Sequence, residues 1–85
     1  MPSEPAWENR LDIAVDCRAE YRGEQAPVRL RLGRREVGVE RVLDRWLSPD
    51  HRYFKVRGDD GGTYIVRHDE GRGRWELTFF AEGEH

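Results

Sequence analysis

RYFKVRGDDGGTYIVRHDEGRGRWELTFF, residues 52–80, decides the fold class of this 85-residue chain. Tyr53, Phe54, Lys55 and Val56 form a β-prone run that is apolar on alternate positions. Gly58-Asp59-Asp60-Gly61-Gly62 follows. An Asp-Gly step between two alternating runs signals a hairpin, because Gly accepts the positive φ that the turn needs. A three-residue loop sets Val56 opposite Tyr64 and Phe54 opposite Val66, on one apolar face. A two-residue Asp60-Gly61 turn would set Phe54 opposite Arg67. The first register is preferred, since a slip of one residue turns every side chain to the wrong face. Asp69-Glu70-Gly71-Arg72-Gly73 closes a second loop, with Asp69 as its initiator. Beyond it Trp75, Leu77 and Phe79 alternate with Arg74, Glu76 and Thr78, the period of a half-buried strand. The stretch reads as three antiparallel strands joined by two tight loops.

Upstream, residues 11–21 alternate in the same way. Ile13, Val15, Cys17, Ala19 and Tyr21 fall on one face; Asp12, Asp16, Arg18 and Glu20 fall on the other. Residues 22–26 connect this first strand to a second, opened by Pro27, where the missing N–H does least harm. Val28, Leu30 and Leu32 point in, and Arg29 and Arg31 point out. Gly33-Arg34 makes a two-residue turn with Gly first, the II′ preference. That turn pairs Leu32 with Arg35, Arg31 with Glu36, Leu30 with Val37 and Val28 with Val39, so apolar meets apolar and opposite charges meet once.

Residues 40–47 fit two patterns. Val39, Val42, Leu43, Trp46 and Leu47 have the spacing of an amphipathic helix, but no good N-cap precedes them. A bulge near Glu40-Arg41 would instead bring Val42 inward on a strand. The reading favoured is a bulged strand to about Leu43, then an irregular passage with Trp46 tucked into the core. Ser48-Pro49-Asp50-His51 is a turn with Pro at its second position. The expected core is Ile13, Val15, Cys17, Val28, Leu30, Val37, Val39, Val42, Trp46, Phe54, Val56, Tyr64, Val66, Trp75, Leu77 and Phe79. The fold is all-β: a small antiparallel meander of five to six strands forming an open SH3-like barrel or a strongly twisted sheet. The domain spans residues 10–81, between a mobile arm at 1–9, whose end Trp7 could pin, and a tail at 82–85.

Composition narrows the class. With 38% charged and 36% hydrophobic residues, no apolar run approaches the roughly 18 residues of a membrane span. No signal peptide is visible, so a cytoplasmic protein is expected, with no membrane partner. Cys17 stands alone, which rules out an intrachain disulfide and reads as a small buried thiol. The net charge of −2 excludes a strongly basic nucleic-acid binder by bulk charge. The distribution is uneven, however: residues 28–57 hold nine basic side chains against Glu36, Glu40, Asp44 and Asp50. Fourteen of the fifteen basic residues are Arg, a bias that phosphate or carboxylate recognition or GC-rich coding would each produce.

Several pieces in order carry a resemblance. They are Pro27-Val28-Arg29-Leu30, Gly33-Arg34-Arg35-Glu36-Val37, Val42-Leu43-Asp44-Arg45-Trp46, Tyr53-Phe54-Lys55-Val56, Gly62-Thr63-Tyr64-Ile65-Val66, and Asp69 with Gly73-Arg74-Trp75-Glu76-Leu77. Together they resemble a small bacterial β domain of unassigned function that occurs as short stand-alone proteins. The same pattern is similar to the C-terminal module of ImuB-like proteins, catalytically incomplete Y-family polymerase relatives of damage-tolerant DNA synthesis. The likeness covers about residues 28–79 and departs at Arg67 and at His51-Arg52. It implies a non-enzymatic adaptor and supplies no catalytic residues.

The residues themselves show no catalytic set. His51, His68 and His85 have no metal-ligand spacing. His68 and Asp69 are adjacent on a strand and point to opposite faces. Neither Ser3 nor Ser48 has a visible base. The glycine-rich loops lack the following helix of a phosphate cradle. No enzyme activity, cofactor or metal is expected. The expectation is a protein-interaction module, a monomer or weak dimer, that captures a partner peptide at an exposed edge strand. The alternative is weak nucleic-acid binding by an Arg-rich face. Its candidate residues are Arg29, Arg31, Tyr53, Lys55, Arg57 and Arg67, unless Glu36, Glu40 and Glu76 balance them across the strands.

Overall fold

The structure, a computed structural model, describes residues 11–19 and 25–83. Six antiparallel strands follow in chain order and close into a barrel: β1 (Leu11–Ala19), β2 (Gln25–Leu32), β3 (Arg35–Leu47), β4 (Arg52–Gly58), β5 (Thr63–Asp69) and β6 (Arg74–Ala81). Among the described residues there is no helix, and so none long and apolar enough to cross a membrane. The arm at 1–9, with Trp7, lies outside the described residues, as do Glu20, Tyr21 and the last two residues of the tail.

The turns form as their chemistry requires. Gly33 holds φ 67 at the first position of the β2–β3 turn, where a side chain would be strained. Leu32, Arg31 and Leu30 face Arg35, Glu36 and Val37. The β4–β5 loop is the three-residue form: Val56 pairs with Tyr64 and Phe54 with Val66. Gly61, at φ 85, donates its N–H to the carbonyl of Gly58 over 3.0 Å, and Gly58 donates to Gly62 over 2.8 Å. Asp69 initiates the β5–β6 loop, its Oδ1 accepting the Arg72 N–H at 3.1 Å. The His51 N–H donates to the Ser48 carbonyl across the β3–β4 turn at 3.4 Å.

Closure depends on strands that serve two neighbours. β1 pairs with β6 through Leu11, Asp12 and Ile13, then with β2 from Ala14 onward. β3 pairs with β2 as far as Gly38 and with β4 from Val39. Four single-residue bulges make the bends. Val28 is extra in β2, Glu40 and Leu43 in β3, and Thr78 in β6. Each bulge coils the sheet locally, which lets a meander close.

Leu30, Val37, Phe54, Val56, Tyr64, Val66 and Leu77 fill the interior, with Ile13, Val15, Leu32, Val39, Val42 and Trp75 packed against them. Phe54 lies 5.8 Å from Trp75, which stacks on His68 at 4.4 Å. Arg45 caps one end of the core, its guanidinium 5.8 Å from the Phe54 ring centre.

The bulges overturn several expectations. The irregular passage after Leu43 is absent: β3 continues as strand to Leu47. The second bulge turns Trp46 outward onto Tyr53, and it is 39% exposed rather than in the core. Phe79 is 48% exposed, because the bulge at Thr78 sets it opposite outward Ile65 and brings Phe80 opposite Tyr64. Val28 occupies the β2 bulge and is half-buried, while Ala26 and Pro27 are buried. The expected Val28–Val39 pair does not form, since the β2–β3 ladder ends at Arg29 and Gly38. β2 begins at Gln25, two residues before Pro27. Cys17 is half-buried and Ala19 exposed.

Candidate functional site

The six candidate residues fall on two walls of the barrel. Arg29 and Arg31 stand on the outside of β2. Arg31 donates to Asp16 at 2.8 Å, and Glu36 lies 3.9 Å from both arginines. Their charges are balanced across the strands.

Tyr53, Lys55, Arg57 and Arg67 share the outer face of the sheet formed by β3, β4, β5 and β6. Three cross-strand rows order it. The first runs Trp46, Tyr53, Arg67, Glu76 and on to Asp12 of β1. The second runs Asp44, Lys55, Ile65 and Phe79; the third runs Arg41, Arg57, Thr63 and Ala81. Arg67 is structural: its Nε donates to Glu76 at 2.6 Å, and the two side chains are 20% and 8% exposed. Its Nη1 also reaches the Tyr53 hydroxyl at 3.4 Å. The Tyr53 hydroxyl and the Glu76 carboxylate together hold the guanidinium firmly protonated. Tyr53 stacks on Trp46, with ring centres 5.2 Å apart and planes within 6°.

Sequence reasoning missed two members of this face, Arg41 and Trp46. A signal for Arg41 existed, because a bulge at Glu40 that turns Val42 inward also turns Arg41 outward, opposite Arg57. Trp46 depended on the second bulge, which no residue pattern announced.

A second feature is a groove of about 530 Å³ beside β6. Leu32, Tyr64, Leu77, Phe79 and Phe80 line it, with Arg35 and Thr78 at its rim. Among the described residues, β1 pairs with β6 at Trp75, Glu76 and Leu77, and none pairs with the edge from Thr78 to Ala81 on that side.

Asp60 ties the base of the groove together. Its carboxylate accepts from the Tyr64 hydroxyl at 2.6 Å, the Gly62 N–H at 2.9 Å and Arg35 at 2.5 Å. Burial alone would raise the Asp60 carboxyl, but the bonds from Tyr64 and Gly62 and the Arg35 charge outweigh it and hold it below the ordinary range. Burial and the Asp60 bond push Tyr64 up to about 12. The signs follow from linkage. The Asp60 contribution is present above the ordinary carboxylate pKa and is lost as pH falls through its lowered value. The Tyr64 contribution is complete below about pH 10, the ordinary tyrosine value, and is lost as pH rises through about 12. Tyr64→Phe is therefore expected to lose about 1.5 kcal/mol at neutral pH and to flatten stability between those alkaline limits. Urea unfolding across pH checks both; an unchanged alkaline limb would exclude the Tyr64–Asp60 bond as its cause.

Other chemistry is sparse. Burial, then the Asp16 charge, raises the Cys17 thiol, which keeps it protonated and a poor nucleophile. His68 faces Trp75 and Asp69 serves its loop, so the two do not form a pair. No group of three or more metal-ligating side chains occurs among the described residues.

The class defined by fold and surface is a small closed β-barrel with one apolar groove and one aromatic, basic face. Compared with family models, curated proteins and solved structures, the chain matches none.

Proposed function

We propose that this protein is a non-enzymatic interaction module that takes an extended partner strand into the groove beside β6. The observation that carries the reading is the apolar groove beside Thr78–Phe80, along an edge of β6 that no described residue pairs beyond Leu77 on the β1 side. An edge offers backbone N–H and C=O groups to a new strand, and adjoining pockets select its alternate side chains. Leu32, Leu77, Phe79 and Phe80 would receive apolar side chains of the bound strand. The likeness to the module that closes ImuB-like proteins makes damage-tolerant DNA synthesis the first place to seek the partner.

Selection of random peptides displayed on phage tests the reading. The expected winners carry apolar residues at alternate positions. Bound to the labelled protein, they shift amide signals of residues 32–35 and 78–81, at an affinity nearly independent of salt. Phe79→Ser, which removes an exposed groove wall, is expected to weaken binding about tenfold. Failure to enrich any peptide, or shifts confined to another wall, would overturn the proposal.

A further inference from the structure

Arg41 and Arg57 stand directly opposite each other on β3 and β4, and like charges so placed repel. Neither has an ion-pair partner among the described residues, whereas Arg29, Arg31, Arg35, Arg52, Arg67, Arg72 and Arg74 all do. Lys55, the next outward residue along β4, also has no ion pair among the described residues, although Asp44 lies across from it in the ladder. At the other end of the same face the Trp46–Tyr53 stack is open to solvent. Outward residues on one strand recur about every 6.7 Å, so β4 presents a ring, an ammonium and a guanidinium in sequence.

We infer that this face, formed by Arg41, Trp46, Tyr53, Lys55 and Arg57, binds single-stranded nucleic acid. The cations complement backbone phosphates, which would relieve the Arg41–Arg57 repulsion. The exposed indole of Trp46 offers a stacking platform for an unpaired base. A duplex keeps its bases stacked inside and has nothing to place there. The site is distinct from the groove beside β6, so the inference goes beyond the proposed function. It also revises the expected Arg-rich face, because Arg29, Arg31 and Arg67 are already committed to carboxylates.

The test is fluorescence anisotropy of labelled oligothymidylate and oligouridylate with the whole chain, at low and moderate salt. Three phosphate-facing cations predict a log affinity that falls against log salt with a slope of about −2. Arg57→Gln is expected to weaken binding and reduce that slope by about 0.7. Trp46→Ala is expected to weaken binding about tenfold without changing the slope. Arg29→Gln with Arg31→Gln should leave binding unchanged. The DNA and RNA arms show which strand is preferred, and binding of either supports the site. Absence of binding at low salt overturns the inference. So does equal weakening by the Arg29 and Arg31 changes, which would report net charge alone. So does equally tight binding of duplex or polyglutamate.

Discussion

Arg67→Met is expected to lower stability by about 3 kcal/mol. The reason is the position of Glu76, which sits on the outer face of the sheet yet is only 6% exposed as a residue. Its carboxylate accepts the Arg67 Nε–H at 2.6 Å. Removing the guanidinium leaves a largely dehydrated charge without its closest counterion, which costs far more than a surface ion pair contributes. For a chain this short, with total stability of roughly 4–13 kcal/mol, such a loss populates the unfolded state. Replacing both partners, Arg67→Met with Glu76→Met, is expected to recover most of the loss, because the largely dehydrated carboxylate is then removed together with its guanidinium. Urea unfolding midpoints of the three variants decide the matter. A single variant within about 0.5 kcal/mol of the parent, the range of ordinary surface changes, would mean that Arg67 is free for binding and that the candidate face must be redrawn around it.

Gly58→Ala is expected to cost about 2 kcal/mol. Gly58 ends β4 inside the barrel, opposite Val39. A Cβ there would lie 2.6 Å from Val37 Cγ1, 2.7 Å from Asp60 Oδ1 and 2.9 Å from Tyr64 Cε1. None of the three can retreat easily. Val37 and Tyr64 are buried in the core, and Asp60 is held by Tyr64, Gly62 and Arg35. Gly33→Ala is the informative comparison. Its Cβ would meet nothing within 4 Å, but its φ is 67, so the penalty is backbone strain of about 1 kcal/mol. Gly58→Ala should therefore be the costlier change and should also disturb the Asp60–Tyr64 bond, visible as an altered alkaline limb. A Gly58 variant as stable as the parent would show that the interior can yield at that point.

The candidate site was partly legible. Lys55, Arg57 and Tyr53 share the outer face because alternate residues on one strand always do. That Arg29 and Arg31 belong elsewhere follows from closure: β2 and β4 lie on opposite sides of β3, and the barrel bends between them. Arg67 lies on the expected face but is consumed by Glu76, a distinction that depends on burial rather than on pattern. The groove could not be read at all, since its walls come from β2, β3, β5 and β6, which only the closed fold brings together.

What the sequence determined by itself was local. The Gly33-Arg34 turn, the Asp59-Asp60-Gly61 loop and the Asp69 loop each specify a backbone conformation that few residues adopt, and they set the register of three hairpins. Two-residue alternation then divided most side chains between inside and outside. The bulge at Glu40 showed in the apolar pattern around Val42; the tertiary structure decided those at Val28, Leu43 and Thr78, and with the last two the outward turn of Trp46 and Phe79. A bulge interrupts the period that makes a strand readable, and it forms where closing the barrel outweighs keeping the ladder regular. That balance involves strands distant in the chain, so no local pattern contains it.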